Sequence, residues 1–365
     1  MEVYNKNVKK NKKIHDILSR CKSVSNPNYV PTLFACNAWM NVLVFLVKNH
    51  ICAYFGRNKI KRQLYVCPDD GGEVAIDFYD DSSTKALPND APILVFFHTI
   101  SGTTSTTMYF MEDAVKRGYR PCVFVRRGHL GKAEGLKTPR FNFMGDTKDM
   151  AFLMRKLREQ FEKSWIGLVG ISAGSGLLIS YLGQQCNETP VSAACCLCPA
   201  YALFPGLKNL EEKYPFADKY VLDGVKDIYL HASKSTSHML KVHDRDAYNN
   251  CNDATSLYKF AKVAYKFAGC NSLDEYNKKH DPMQHFHDIR TPVLLLNSDD
   301  DMVCVKENVR EDLAKALPNF ALVRTKYGSH IAYSEGWFGE GNFMVRLSLD
   351  WIDAAYHLYQ SKMIA

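Results

Sequence analysis

The chain has 365 residues, of which 46% are hydrophobic and 23% charged, with a formal net charge of +7. That balance fits a globular protein with a sizeable core and excludes extended disorder. Much of the excess charge comes from Lys6, Lys9, Lys10, Lys12 and Lys13, which read as a basic tail; with no aromatic-interleaved basic motif or zinc-finger spacing, a nucleic-acid reader is excluded.

In chain order, the opening lysines are followed by polar residues rather than by the apolar run of a secretory signal. The first apolar stretch is Leu33–Val47, "LFACNAWMNVLVFLV", which contains Asn37 and Asn41 and stops at Lys48. A bilayer span needs about 20 apolar residues. The stretch therefore reads as a buried helix, or as one lying in a membrane interface between flanking lysines. Residues 1–60 form this basic N-terminal segment, and the expected location is cytoplasmic or membrane-associated. Next, "KRQLYVCPDDGGEVAIDFYD" (Lys61–Asp80) has two alternating runs around Asp-Asp-Gly-Gly, which predicts a hairpin.

From Ala91 the pattern becomes regular. "PILVFF" (Pro92–Phe97), "PCVFV" (Pro121–Val125), "WIGLVG" (Trp165–Gly170) and "VSAACCLC" (Val191–Cys198) are apolar runs without polar alternation. Amphipathic helices are predicted between them, at about Met108–Arg117, Asp146–Phe161 and Ala173–Gln185. Such alternation predicts a mostly parallel sheet with helices on both faces. Residues 203–290 break the pattern and read as a helical lid insertion rich in Lys, Tyr and Phe. Alternation returns with "TPVLLLNS" (Thr291–Ser298), a helix near Val305–Ala316, "FALVRT" (Phe320–Thr325) and a last helix after Asn342. Residues 61–202 and 291–365 are thus two parts of one α/β domain.

Twelve cysteines in this length are too scattered for a disulfide framework. Cys195 and Cys198 form a CxxC inside an apolar run, without a second ligand pair, so they read as small buried hydrophobes in a reducing compartment.

The stretch "IGLVGISAGSG" (Ile166–Gly176) places Ser172 between glycines where a strand ends and a helix begins. This is G-x-S-x-G in the context that holds a nucleophile on a strained turn. A serine needs a base, and the base needs an orienting carboxylate. On such a sheet they follow later strands in the order Ser, acid, His. "VLLLNS" leads into Asp299-Asp300-Asp301, and "FALVRT" into the loop carrying His330. Asp301 is chosen as the acid because it lies furthest along its loop, with Glu335 and Asp146 held as substitutes. Backbone N–H groups of Ile100 and Ala173 are the oxyanion-hole candidates, the first from the loop "HTISG" after "ILVFF" and the second from the helix start. His98 in that loop is read as shaping it.

With these positions reached, the chain resembles the α/β-hydrolase superfamily. It is most similar to the abhydrolase-domain group that includes plant embryogenesis-associated hydrolases and yeast medium-chain ester synthase/esterases. The resemblance runs from about Tyr29 to near the C-terminus. It rests on "YVPT" (Tyr29–Thr32), "GYRPCVFVRRG" (Gly118–Gly128), "TPRFNFMGDTKDM" (Thr138–Met150), "VGISAGSGLLISYLGQ" (Val169–Gln184), "AGCNSLDEYNKKHDPMQHFHDIRTPVLLLNSDDD" (Ala268–Asp301) and "GSHIAYSEGW" (Gly328–Trp337). It implies an α/β-hydrolase fold, a lipid or other acyl ester as substrate, no metal or organic cofactor, and in many members an N-terminal membrane anchor. The family's acid matches Asp301, with Met302 in place of the usual proline. Thr99 replaces the usual glycine of the oxyanion loop, and Ala173 replaces the usual Leu or Met after the nucleophile. The expected activity is serine carboxylester hydrolysis through an acyl-enzyme on Ser172. An acyltransferase using the same acyl-enzyme and a non-catalytic binding protein are the alternatives.

Overall fold

The apolar runs without polar alternation form the middle of a nine-stranded sheet in the computed structural model, which describes residues 1–4, 12–33, 37–131, 134–199 and 201–364. The chain opens with β1 (Glu2–Tyr4), α1 (Lys12–Arg20), α2 (Lys22–Ser25) and α3 (Ala38–Gly56). The hairpin β2 (Ile60–Val66) and β3 (Glu73–Tyr79) and the single turn α4 (Ser82–Lys85) follow. The alternating part runs β4 (Ile93–Phe97), α5 (Met108–Lys116), β5 (Arg120–Val125), α6 (Thr147–Gln160), β6 (Ile166–Ile171), α7 (Ala173–Gln185) and β7 (Ala193–Leu197). After it come α8 (Leu203–Lys213), α9 (Pro215–Tyr229), α10 (Lys234–His243), α11 (Arg245–Asp253), α12 (Leu257–Ala264) and α13 (Leu273–His280). The chain closes with β8 (Val293–Ser298), α14 (Glu311–Ala316), β9 (Phe320–Thr325), the short pair β10 (Ser334–Glu335) and β11 (Gly341–Asn342), and α15 (Phe343–Ile364).

The sheet order is β1-β9-β8-β7-β6-β4-β5-β3-β2. From β9 to β5 every neighbouring pair is parallel, while β1, β3 and β2 pair antiparallel with their neighbours. Strand β4 lies between β5 and β6, so the chain moves outward one way to β5 and then returns to the other side of β4. Loops diverge above the carboxyl ends of β4 and β6, and a crevice opens at such a switch point.

Both faces of the sheet are covered, which is why its central strands are apolar throughout. On β6, Ile166 and Leu168 enter one buried cluster and Val169 and Ile171 the other. A third cluster joins α8–α13 to the site edge of the sheet, with Leu207, Tyr229, Phe260 and Tyr276 inside it and Ala173 at its boundary. Four of these helices start at a Ser or Asp whose side chain accepts an amide N–H of the first turn: Ser233, Asp244, Ser256 and Ser272.

Several expectations need correcting. The lysine-rich start is not simply a tail: β1 adds to the sheet beside β9, and α1 buries Ile14 and Ile17 in the core. Lys12 and Lys13 open α1, whereas Lys6, Lys9 and Lys10 lie outside the described residues. The helix expected within Leu33–Val47 starts later and runs further, to Gly56, and residues 34–36 lie outside the description. The helix expected near Val305–Ala316 is split into a 3-10 turn at Lys306–Asn308 and α14, because Val309 between them takes extended backbone. Strand β3 is buried along nearly its whole length, not on alternate residues, because it lies between β2 and β5; its inward Asp77 is matched by Arg62 at 2.7 Å.

Candidate active site

Strand β6 ends at Ile171, and the next residue, Ser172, takes φ 54 and ψ −116 before α7 begins. A positive φ is strained for a serine and holds its side chain clear of both strand and helix. The flanking glycines are dictated by contact. A Cβ on Gly170 would lie 2.7 Å from Gly174 O, and a Cβ on Gly174 would lie 2.3 Å from Phe97 O. The turn is thus packed directly against the end of β4, and only backbone fits there.

Ser172 Oγ lies 2.8 Å from His330 Nε2. On the far side of the ring, His330 Nδ1 lies 2.9 and 3.0 Å from the two carboxylate oxygens of Asp301. The Asp301 side chain has no exposed surface, and Oδ1 also accepts the amides of Val303 at 2.7 Å and Cys304 at 2.8 Å. Those amides hold the carboxylate in place, and the ring N–H it accepts fixes the imidazole with Nε2 turned to the Ser172 hydroxyl.

The structure therefore brings together three residues that are 129 and 29 positions apart in the chain (301 − 172 and 330 − 301). The other two aspartates of the run do different work. Asp299 pairs with Arg324. Asp300 Oδ1 accepts the Ser329 amide at 2.7 Å, and Ser298 Oγ donates to Ser329 O at 2.9 Å. Those two bonds clamp a loop in which Ser329, Ile331 and Tyr333 all have positive φ. The substitutes for the acid lie elsewhere: Glu335 pairs with Arg346, and Asp146 caps α6 and pairs with Arg140. Asp300 and Ser298 were missed in the sequence because their partners are backbone atoms of a loop about thirty residues onward.

Ala173 is the first residue of α7, where amides have no helical carbonyl to bond and the helix dipole is positive. Ile100 lies in the loop after β4 and packs against the same cluster as Ala173. His98 is buried in that loop, with Nδ1 2.9 Å from Thr99 O and its ring 4.4 Å from that of His129. Burial, then the positive charge of Arg126, push the His98 pKa well down, so it stays neutral.

Cys195 and Cys198 are both free and fully buried. Cys198 sits behind the site, within 4.8 Å of ligand-type atoms of Asp301 and His330. Burial, followed by the nearby Asp301 charge, pushes its thiol pKa far up, and Asp301 is already engaged by the ring and two amides. That set suits a neutral thiol packed against Asp301 and His330 better than a metal centre. A cavity of about 330 Å³ lined by Trp165, Cys186, Pro292 and Lys362 lies at the amino ends of β6, β7 and β8, on the sheet edge opposite Ser172.

A mostly parallel sheet with Ser172 on a β6–α7 turn, and Asp301 and His330 after the last two parallel strands, is the plan of an α/β hydrolase. Residues 92–336 match the model of the alpha/beta hydrolase fold family, and the chain belongs to that family. Among curated relatives it is 26% identical over 339 residues to phospholipase ABHD3 of Bos taurus, covering 91% of this chain and 79% of that protein. It is 24% identical over 362 residues to monoacylglycerol lipase ABHD2 of Danio rerio, covering 96% of this chain and 81% of that protein. Among solved structures, a membrane phospholipase A described as a bacterial virulence factor superposes with a TM-score of 0.51 at 12% identity, covering 87% of this chain and 93% of that one; this likeness concerns the fold.

Proposed function

We propose that the chain is a serine carboxylester hydrolase acting on lipid esters, with Ser172 as nucleophile, His330 as base and Asp301 as its orienting acid. The observation that carries the reading is the continuous chain from Ser172 Oγ through His330 to Asp301, at 2.8 and 2.9 Å. Ser172 Oγ attacks the acyl carbonyl as its proton passes to His330 Nε2. The carbonyl oxygen becomes an oxyanion held by the Ile100 and Ala173 amides. The C–O bond to the alcohol breaks, and His330 returns the proton to the departing alkoxide. Water, deprotonated by His330, then attacks the acyl-serine; the acyl C–Oγ bond breaks, His330 returns the proton to Ser172 Oγ, and the carboxylic acid leaves. No metal or organic cofactor enters these steps.

A lipid as substrate is favoured by the names of the two relatives, a phospholipase and a monoacylglycerol lipase. The helices between residues 203 and 290 are read as a lid, since they interrupt the sheet between β7 and the acid-bearing β8 and share a buried cluster with Ala173 and Ile100. Within the family, the resemblance of the motifs from Tyr29 to Trp337 favours a relationship to the plant embryogenesis-associated and yeast ester synthase group.

We further propose that the protein works at a membrane surface. No helix among the described residues is long and apolar enough to cross a membrane. Instead α3 leaves Met40, Leu43, Val47, Ile51 and Tyr54 exposed at helical spacing. The β10–β11 turn lies against the same helix: a Cβ on Gly339 would be 3.2 Å from Val44, and the Ser334 amide donates to Asn41. That turn carries Trp337 and Phe338, 76% and 85% exposed. Exposed apolar patches of this kind mark interaction surfaces.

A fluorophosphonate probe tests the central reading. It should label the wild type and turnover of an ester should accompany labelling; Ser172→Ala should lose both while remaining folded. Labelling that persists in Ser172→Ala would sink the assignment.

A further inference from the structure

Arg126 and Arg127 follow β5 side by side, and both are buried. Arg127 has the partners that a buried cation needs: it donates to Asp149 at 2.6 and 2.7 Å and to Asp70 at 2.5 Å. Arg126 has none of that kind. Among the described residues no carboxylate lies within ion-pair distance of it, and its hydrogen bonds go to neutral groups: backbone carbonyls, and the His98 ring, whose Nδ1 lies 3.2 Å from Nη2. Its Nη2 donates to Thr99 O at 2.6 Å and reaches Ile100 O at 3.4 Å, and its Nη1 donates to Phe143 O at 3.3 Å. A guanidinium keeps its proton in a protein interior. The titratable groups around it carry no charge to offset it: burial lowers the pKa of His98 and His129 and raises that of Tyr229.

The bonds Arg126 makes also decide how the loop after β4 faces. In a planar trans peptide the C=O and N–H point in opposite directions. Drawing Thr99 C=O onto Arg126 turns the Ile100 N–H away from the guanidinium, and the weaker bond to Ile100 C=O does the same for the Ser101 N–H. His129 Nδ1 ties Gly102 O at 2.7 Å. The loop thus shows the carbonyls of Thr99, Ile100 and Gly102 to Arg126 and His129 and turns the Ile100 amide to the other side, while the Gly102 amide closes the turn onto Thr99 O at 3.1 Å. That loop leaves β4 at Phe97, whose carbonyl is against the Ser172 turn at Gly174.

We infer that Arg126 is a positioning residue for the oxyanion hole: from behind the loop it aims the Ile100 amide at the reacting carbonyl, and its unpaired charge favours the oxyanion. The inference rests on the serine-hydrolase reading above. It also accounts for Thr99 at a position where a glycine is usual, since the loop is held by its carbonyls and not by conformational freedom.

The test compares Arg126→Met and Arg126→Lys with the wild type, using a soluble p-nitrophenyl ester and a trifluoromethyl ketone that mimics the oxyanion. Labelling of the wild type but not of Ser172→Ala secures the serine reading on its own. Arg126→Met should then lose about 10²-fold in kcat, the scale of one oxyanion donor, with KM little changed. Its affinity for the ketone should fall by a matching factor. Arg126→Lys keeps the charge and should recover part of both, and it carries the same kcat-to-ketone comparison if the methionine variant does not fold. Unchanged kcat in the methionine variant would overturn the inference. So would a kcat loss without loss of ketone affinity, or a lysine variant as impaired as the methionine one.

Discussion

His330 Nδ1 faces both oxygens of Asp301, at 2.9 and 3.0 Å, although one residue earlier Asp300 bonds the backbone of the same loop and not the ring. Three consecutive aspartates therefore have three separable roles. Asp301→Asn should cut kcat by about 10⁴-fold, because an amide cannot hold the ring in the needed tautomer. Asp299→Asn, which only weakens the pairing with Arg324 at the strand end, should stay close to wild type. Steady-state kinetics on one ester separate the cases, and equal mild losses at both positions would mean that another carboxylate is the acid.

Asp300 should behave differently from either neighbour. It presents an acceptor to the Ser329 amide, which an asparagine can also do and an alanine cannot. Asp300→Asn should thus retain most activity while Asp300→Ala loses kcat, because the strained turn before His330 relaxes. Burial pushes the Asp300 pKa up, so a neutral side chain at this place carries little penalty. If Asn and Ala variants are equally impaired, the carboxylate charge matters and the clamp does not.

How much of this was legible in the sequence depends on the range of each cause. Ser172 was legible because its constraints are local: Gly170 and Gly174 are needed within two residues of it. Asp301 and His330 were legible because each follows an apolar run that can only be a buried strand. Strand β1 was not, since three residues carry no period and their reason for pairing is the open edge of β9. Arg126 was equally hidden. Its partners lie 26 to 28 residues earlier, at Ile100, Thr99 and His98, and 17 residues later, at Phe143, and nothing in "FVRRG" tells which arginine has the carboxylates.

Acid should weaken the fold before it protonates the carboxylates. His280 is buried against Tyr276, and burial pushes its pKa down from 6.5 to about 4. Burial likewise lowers His98 and His129. Between pH 6.5 and about 4 the unfolded chain binds protons that the folded imidazole of His280 does not, so stability must fall as pH drops through that window. Denaturant unfolding at a series of pH values should show this loss, and His280→Gln should flatten part of it. A curve with the same slope in the variant would assign the acid sensitivity to other groups.

Membrane contact makes a prediction that can fail without touching the chemistry. Replacing Leu43 and Val47 on α3, or Trp337 and Phe338 on the neighbouring turn, with serine should reduce pelleting with phosphatidylcholine vesicles. Turnover of a short soluble ester should not change, because none of the four residues is in the chain from Ser172 to Asp301. Unaltered pelleting in both variants would leave these side chains as exposed surface only.

Substrate preference should follow from what surrounds Ser172. The cluster that includes Ala173 continues through Leu203 and Leu207, with Ile100, Phe204, Tyr258 and Val303 packed against it. Of the aromatics between residues 203 and 290, Phe260 is fully buried and Phe204 meets Tyr258 at 6.2 Å between ring centres, whereas Phe216 and Tyr220 face outward. Most of the aromatic surface therefore fastens the helices together, and the wall this cluster presents at Ala173, beside Ser172, is apolar. Walls of that kind reward acyl length and offer little to a charged or peptide substrate. Each methylene buried there contributes about 0.8 kcal/mol, or about fourfold in kcat/KM. A panel of p-nitrophenyl esters from acetate to decanoate should therefore climb steeply before reaching a plateau where the cleft ends. An enzyme that prefers acetate, or cleaves peptides faster than esters, would contradict the lipid-ester reading while leaving Ser172, His330 and Asp301 in place.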